Sequence, residues 1–453
     1  MKSLAMPLVL IRLCPLLLLI APSGIVLRGA LPKQDLEFLC DMACDVIEAS
    51  RVYPGSNGNG KWALSNSVGF PLVTPGKDTY HAFWVRDFSM ALDSGLFEAE
   101  EISNHLLLIC RTQNGPEERT LANGLHLPPW SIPDHINYNG LPTFYPGTYA
   151  TGTDQGDGAF GRVPPIDDHY EFIHIAYALW KMTGGTAILR QEVGSVSVFE
   201  RLRHAFVAPA VDKTTGLAQT SEDDRAVGYG FLDGVTQTGS LLFASLLRYR
   251  AAGELSELAR ALDQPELAAS YGRLREQIRR SLVPTFAAPG EIGGWLRAST
   301  SLSRQADVWG TLFALHLGVL DEATAQTARA TIVDAVRRGT IVLEGGVRQV
   351  PTDMDYSGKS AWERCRWRVN TYQNGGYWHT ATGWLVATLW SVDRRLAHQV
   401  FDDMITHLRR YDYRRGEGYG APWEVFGEKG LARQNPVYMT SVALPYGILK
   451  ALE

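Results

Sequence analysis

Between residues 35 and 50, apolar side chains recur every three or four positions. Leu36, Leu39, Met42, Ala43, Val46 and Ile47 fall on one stripe, the period of a helix with one buried face. Helical patterns recur near 88–112, 169–183, 196–207, 235–252, 256–282, 305–318, 322–337, 376–392, 394–410 and 437–452. Several come in pairs with short links, one at Gly253, one near Gly318, and one at 392–394 with almost no link. This is the rhythm of repeated helical hairpins, without a clear sequence repeat. Strand-like runs are few and short, IVLEGGVRQV at 341–350 among them. No alternation of strand and helix supports a doubly wound sheet. The predicted class is therefore all-α.

One connection is too long for a plain link. Residues 113–167 are rich in Pro, Gly, Asn, Asp and Tyr, yet carry Trp130, Ile132, Ile136, Tyr138, Phe144, Tyr145, Tyr149 and Phe160. Disorder would leave those side chains in water. Long ordered loops on a helical scaffold more often form a binding rim. The chain's 12 Trp and 18 Tyr fit that picture. Most are expected in the core, and the remainder can line a carbohydrate groove.

Charge removes other classes. Asp plus Glu number 48 against 43 Lys plus Arg, with no basic stripe, so nucleic acid is not an expected partner. No GxGxxG, P-loop or HExxH pattern is present, and no cofactor or metal is expected. The chain starts with Lys2 and a short apolar run, LCPLLLLIAP at 13–22, interrupted nearby by Arg12 and Pro15. That pattern predicts a secretory leader over 1–30, an exported protein, and no stable membrane span in the mature chain. Residues 31–453 are then one catalytic domain. Cys40, Cys44, Cys110 and Cys365 match no metal or disulfide pattern and are expected as buried thiols.

Four segments set polar groups among aromatics. In HAFWVRDFSMALDSG (81–95), Arg86 and Asp87 follow Trp84. They are either a buried ion pair or a donor–acceptor set for vicinal hydroxyls beside an indole wall. In GRVPPIDDHYEFIHIAYALW (161–180), Asp167 and Asp168 stand where a helix should begin. Capping explains one of them but not both, and apolar neighbours can hold an Asp protonated, as a general acid must be. In TYQNGGYWHTATGW (371–384) there is no carboxylate. Asn374 is expected to cap a helix opening at Gly375 or Gly376, with Tyr372, Tyr377 and Trp378 as stacking faces; tight helix contact would explain the glycines as well. In YGAPWEVFG, from residue 419, Glu424 sits between Trp423 and Val425, not in a solvated charged face. Asp167 and Glu424, brought together from distant hairpins, would be the carboxylate pair of a glycosidase.

These segments resemble the alkaline/neutral invertases. GRVPPID resembles that family's GRV-P-VD segment, WVRDF its VRDF motif, YQNGGYW its HNGG-W motif and PWEVF its PEYYD region, in the same order. More broadly the pattern is similar to the six-hairpin glycosidases, which include glucoamylases and trehalases. The resemblance implies an (α/α)6 toroid and an exo-acting, inverting glycoside hydrolase with a carbohydrate substrate. It implies Asp167 as acid and Glu424 as base. Arg86 and Asp87 would hold the terminal sugar, and Asn374, Gly375, Gly376 and Trp378 would form the cleft wall. Independently of the resemblance, Asp168, Tyr372 and Trp423 are further candidates for binding substrate. Asp168 replaces a small Ser of the family, so either Asp can be the acid. His169, Tyr170 and Glu171, and Val425-Phe426 in place of a Tyr pair, depart from the invertases, so sucrose is not carried over. Two other functions stay open. One is a uronic-polymer lyase or sugar epimerase using His169-Tyr170 or His379; the other is a carbohydrate-binding protein without catalysis.

Overall fold

The structure is a computed structural model that describes residues 29–58, 64–77, 79–121, 124–146, 160–428 and 433–453. The leader falls outside the described residues except for Gly29 and Ala30, as does Tyr149 of the long connection. Fourteen α-helices lie among the described residues. The first seven are α1 (Lys33–Ala49), α2 (Val85–Leu92), α3 (Ala99–Thr112), α4 (Asp167–Thr183), α5 (Ala187–Arg190), α6 (Val198–Val207) and α7 (Leu242–Ala261). The rest are α8 (Pro265–Phe286), α9 (Pro289–Ile292), α10 (Val308–His316), α11 (Glu322–Arg337), α12 (Thr382–Trp390), α13 (Arg394–Arg410) and α14 (Thr440–Leu449). Strands are two or three residues long and form small antiparallel patches.

Six helices close a ring. α2 packs on α4, α4 on α7, α7 on α10, α10 on α12, α12 on α14, and α14 back on α2. Outside them, α1 packs on α14, α3 and α6 on α4, α8 on α7, and α11 and α13 on α12. Side-chain pattern decides which ring a helix joins. Every residue of α2 is buried, and α10 is buried from Val308 to Ala314. α10 is apolar nearly all round and must be covered all round, whereas α2 buries Arg86 and Asp87 along with its apolar face. α1 and α13 instead bury one stripe and leave the other face charged. This is an all-α toroid of helical hairpins.

Aromatic rings crowd the inside of the ring, where Tyr229, Phe243, Phe313 and Trp384 line one side of an inner cavity. Tyr229 stacks on Phe243 at 3.7 Å, Phe243 on Phe313 at 5.0 Å, and Phe313 meets Trp384 at 5.1 Å. Trp309 joins Trp384 to Trp378 with edge-on contacts. Tyr229, Trp309, Trp378 and Trp384 thus join Phe243 and Phe313 in an aromatic plug. The short strands that lead into α2, α7, α10 and α12 lie at one end of the ring, above that plug.

Three helix boundaries differ from the sequence expectation. The stretch 88–112 is broken between α2 and α3, where Gly95 takes φ 68°. Gly253, expected as a link, lies inside α7, and the turn comes at Asp263 (φ 59°). A Cβ on Gly253 would meet the Arg275 side chain at 3.1 Å, so this glycine serves the approach of α8 rather than a break. The third is TYQNGGYWHTATGW. Gly375 and Gly376 do not open a helix; Tyr377-Trp378 form a strand against Gly346–Arg348, and α12 starts at Thr382. The four cysteines among the described residues are free: Cys110 is buried as expected, but Cys40 and Cys365 are only partly covered and Cys44 is exposed. No described helix is long and apolar enough to cross a membrane.

Ring closure leaves little room between α14 and α2. A Cβ on Gly447 would lie 2.5 Å from the backbone carbonyl of Asp93. Helix propensity alone predicts that Gly447→Ala stabilises by about 1 kcal/mol. The backbone contact cannot yield, so Gly447→Ala is expected to lower the thermal midpoint. A raised midpoint would show that α14 and α2 pack more loosely than this contact requires.

Candidate active site

Arg86 is the buried centre from which the site is built. It leaves the first turn of α2 and meets three carboxylates. Its Nε donates to Asp167 Oδ2 at 2.8 Å, and its Nη2 donates to Asp168 Oδ2 at 2.6 Å and to Asp134 Oδ1 at 2.7 Å. Asp167 and Asp168 stand in the first turn of α4, and neither makes the side-chain cap that a helix start would invite. Asp134 comes from the long connection: the strand that follows it, His135–Asn137, pairs with Ala82–Trp84. His135 Nδ1 meets Asp134 Oδ2 at 2.7 Å, and Trp84 stacks on the same imidazole at 4.3 Å.

Burial pushes Asp167 up and Asp168 well up from the ordinary carboxylate range, against the pull of Arg86. Burial also acts to raise Asp134, but Arg86 and His135 outweigh it and the net shift is downward. One guanidinium does not offset three carboxylates, and repulsion from Asp167 and Asp134 adds to burial in raising Asp168. Gly230 lies flat on this cluster. Its N–H donates to Asp167 Oδ2 at 2.7 Å, and a Cβ there would sit 2.1 Å from Arg86 Nε. Only glycine permits that approach.

A cavity of about 940 Å³, open mouth included, lies in front of Arg86. Arg86, Asp87, Trp84, Tyr372 and Glu424 of the sequence-derived candidates line it. Asp167 and Asp168 do not. Both are fully covered behind Arg86. Asn374, Gly375, Gly376, Trp378 and Trp423 also stand outside the lining. Asn374 caps no helix: its Oδ1 accepts from Ser360 Oγ and Ala361 N at 3.1 and 3.0 Å, and its Nδ2 donates to Trp367 O at 3.0 Å. Gly375 (φ 109°) makes room for Arg348 Nη2, and Gly376 for Val425. Trp378 is buried under Phe231 and Tyr372, which do line the cavity. Trp423 packs on His407 and Tyr411.

Glu424 sits on a hairpin in which 423–425 pair with 434–436. Its Oε1 accepts from Tyr372 Oη at 2.8 Å, its Oε2 from Tyr80 Oη at 2.8 Å and from Asn435 Nδ2. Burial raises the Glu424 carboxyl to about 7, although those three hydrogen bonds pull it down. Two of the donors, Tyr372 (φ 45°) and Asn435 (φ 54°), hold left-handed backbone conformations, which a non-glycine residue adopts at a cost. Asp87 accepts from Tyr438 Oη at 2.5 Å, and burial raises it to about 6.

A further carboxylate, unnoticed in the sequence, lines the same cavity. Asp233 ends the turn Gly230–Leu232, is likewise raised to about 6 by burial, and accepts from Gln373 Nε2 at 2.8 Å. Its segment, YGFLDG, places an acid among apolar residues just as PWEVF does, so the same criterion would have found it. Asp134 and the donors Tyr80, Asn435 and Tyr438 carry no such local signal.

The remaining candidate chemistry is elsewhere. His169 Nδ1 meets Pro165 O at 2.9 Å, Tyr170 Oη accepts from Arg248, and His379 packs on Phe426; none lines the cavity. Among the described residues, no three His, Cys, Asp or Glu side chains gather as a metal site.

Solved structures with the same architecture are numerous. A GH15 glucoamylase from Hypocrea jecorina superposes with TM-score 0.58 at 13% identity, covering 92% of this chain and 72% of that one. A GH63 mannosylglycerate hydrolase from Thermus thermophilus, in complex with glucose, gives 0.53 at 13% identity over 90% and 99%. A GH78 rhamnosidase of Bacillus sp. GL1 gives 0.52 at 12% identity over 92% and 35%. The chain has the six-hairpin glycosidase fold. At these identities the likeness carries the fold alone. No family model matches the sequence. No curated protein matches it either.

The raised carboxyl of Glu424 has a consequence for stability. The unfolded side chain loses its proton near 4.5, whereas the folded one holds it to about 7. Between those values the folded state binds more protons, so this group's burial costs stability increasingly as pH rises, reaching about 3 kcal/mol above the folded pKa. Glu424→Gln is therefore expected to raise the thermal midpoint clearly at about pH 8 and much less near pH 4.5. An equal shift at both would refute the assigned titration.

Proposed function

We propose that the protein is an exo-acting glycoside hydrolase that inverts the anomeric centre, with Asp233 as general acid and Glu424 as general base. The observation that carries this reading is the pair itself: two carboxyls raised by burial face one cavity from different hairpins, with opposite hydrogen-bond surroundings. Glu424 is pushed higher than Asp233, which taken alone would make it the acid. Its partners argue otherwise. Three donors converge on its two oxygens and stabilise its ionised form, the form a general base needs. Asp233 accepts one side-chain hydrogen bond, from Gln373 on Oδ1, with the Gly234 N–H as the other nearby donor, so fewer donors favour its charged form.

In this mechanism the Asp233 proton passes to the glycosidic oxygen as the C1–O bond breaks and its electrons go to the leaving group. Water attacks C1 from the opposite face and gives its proton to Glu424. Asp233 ends as carboxylate and Glu424 as acid, and exchange with solvent restores both. The positive charge that develops on the sugar ring meets a cavity with Asp87, Asp134, Asp233 and Glu424 around one arginine. Arg86 and Asp87 offer donors and an acceptor to the hydroxyls of a terminal sugar, beside the face of Trp84. Asp167 and Asp168 hold Arg86 and do not touch substrate.

The acidic lining favours a neutral sugar over a uronate. A lyase would want more basic groups and a Tyr/His pair, and the described lining residues include one arginine and no histidine. The names of the structural neighbours, a glucoamylase, a mannosylglycerate hydrolase and a rhamnosidase, likewise support a carbohydrate substrate. Export belongs to the same proposal and rests on the apolar leader.

A panel of methyl, 4-nitrophenyl and 2,4-dinitrophenyl glucosides, mannosides and rhamnosides in both anomers tests the reading. Turnover should appear on one sugar. Asp233→Asn and Glu424→Gln should each lower kcat by about 10²-fold or more with the fold kept. Asp167→Asn should lose less, because an amide oxygen still accepts from Arg86 and Gly230. Full activity in Asp233→Asn would remove it as the acid. NMR of the first-formed sugar should show the inverted anomer.

A further inference from the structure

We infer that Gln373 is a positioning residue that fixes on which oxygen of Asp233 the catalytic proton resides. This inference rests on the reading of Asp233 as the acid. Gln373 is buried, and both ends of its amide are fully engaged. Its Oε1 accepts from Gly234 N at 2.8 Å and from Trp367 Nε1 at 3.1 Å. A backbone amide and an indole can only donate, so the carbonyl end of the side chain must face them. The amide orientation is thereby determined. The NH2 end faces the other way, donating to Gly230 O at 3.2 Å and to Asp233 Oδ1 at 2.8 Å.

The consequence falls on the acid. Opposite an NH2 group, Oδ1 can only accept, so a proton on Asp233 occupies Oδ2. Donation to glycosidic oxygen is then available from one defined atom. Without that constraint the proton would divide between two oxygens, one of them turned into the protein. The local chain is built for this contact. A Cβ on Gly234 would lie 2.1 Å from Trp367 Nε1, so glycine lets the indole close over the turn that carries Asp233. The segment that bears Trp367 is laid along that turn, with Arg366 N donating to Gly234 O and Thr236 N to Arg364 O, both at 2.9 Å. Gln373 lies between Tyr372, a donor to Glu424, and Asn374, which ties down the same segment through Trp367 O. One tripeptide thus serves both carboxyls.

Gln373→Glu tests the assignment. It is nearly isosteric, and its carboxylate keeps an acceptor for Gly234 and Trp367. It presents a second acceptor to Asp233, which draws the proton to Oδ1 and away from the cavity. For the sugar that the wild type hydrolyses, kcat on the methyl glycoside should fall by about 10²-fold or more, the usual worth of general acid catalysis. On the 2,4-dinitrophenyl glycoside, whose leaving group departs without a proton, kcat should fall only a few-fold. Asp233→Asn should give the same split, and the basic limb of the wild-type kcat profile should be displaced in Gln373→Glu. Gln373→Met, which fills the space without hydrogen bonds, should show a smaller split; it supplies the measurement if the Glu variant is not folded by near-ultraviolet dichroism. Equal losses on both glycosides, or none, in a folded variant would overturn the inference while leaving the hydrolase reading intact. If the wild type hydrolyses no glycoside in the panel, both fall together.

Discussion

The buried contact between Arg86 and its three carboxylates organises everything around it. A guanidinium at that depth is tolerable only if its donors are satisfied by nearby negative charge, and the fork geometry of arginine allows several partners at once. The partners come from different parts of the chain: Asp134 from the long connection, Asp167 and Asp168 from the opening of α4. The cluster therefore joins two inner helices and the rim in one hydrogen-bonded unit. Gly230 extends it to a further segment, and three residues later that segment delivers Asp233 to the cavity. Removal of one partner would leave charge buried without compensation, which is far more costly than breaking an exposed pair.

Beyond this cluster the site is held against its own preferences. Asp87, Asp233 and Glu424 are all raised by burial, and Tyr372 and Asn435 are held in left-handed backbone. Such features persist where surrounding packing over-determines them. Here the surroundings are the aromatic plug below and the hairpin that carries Glu424 beside it. Rigid helices supply the floor, and short strands and turns at one end of the ring supply most of the polar groups that line the cavity. That division explains why so much of the chemistry sits in segments without regular periodicity.

A good part of this was legible locally. Stripes of period 3.6 pointed to the helical class, and polar residues set among aromatics pointed to Arg86, Asp87, Trp84, Tyr372 and Glu424, all of which line the cavity. The criterion failed where one local signal admitted two structural roles. Asp167 and Asp168 have the composition of a site, but they are buried because they serve Arg86. Asp233 has the same signature with less emphasis. The glycines of TYQNGGYW also had two explanations, and here they make room for Arg348 and Val425 instead of a ligand.

Periodicity and side-chain volume are local properties, so the order of residues was enough to dictate helical hairpins and a large aromatic core. It was also enough to mark which short segments are chemically unusual. Which carboxyls share a cavity is not a local property. It depends on the closure of six helices into a ring and on which side of Arg86 each acid lies, so it emerged with the folded chain. The role of Gln373 emerged in the same way. A lone glutamine carries no signal until two donor-only groups, far apart in the chain, fix which end of its amide faces an acid.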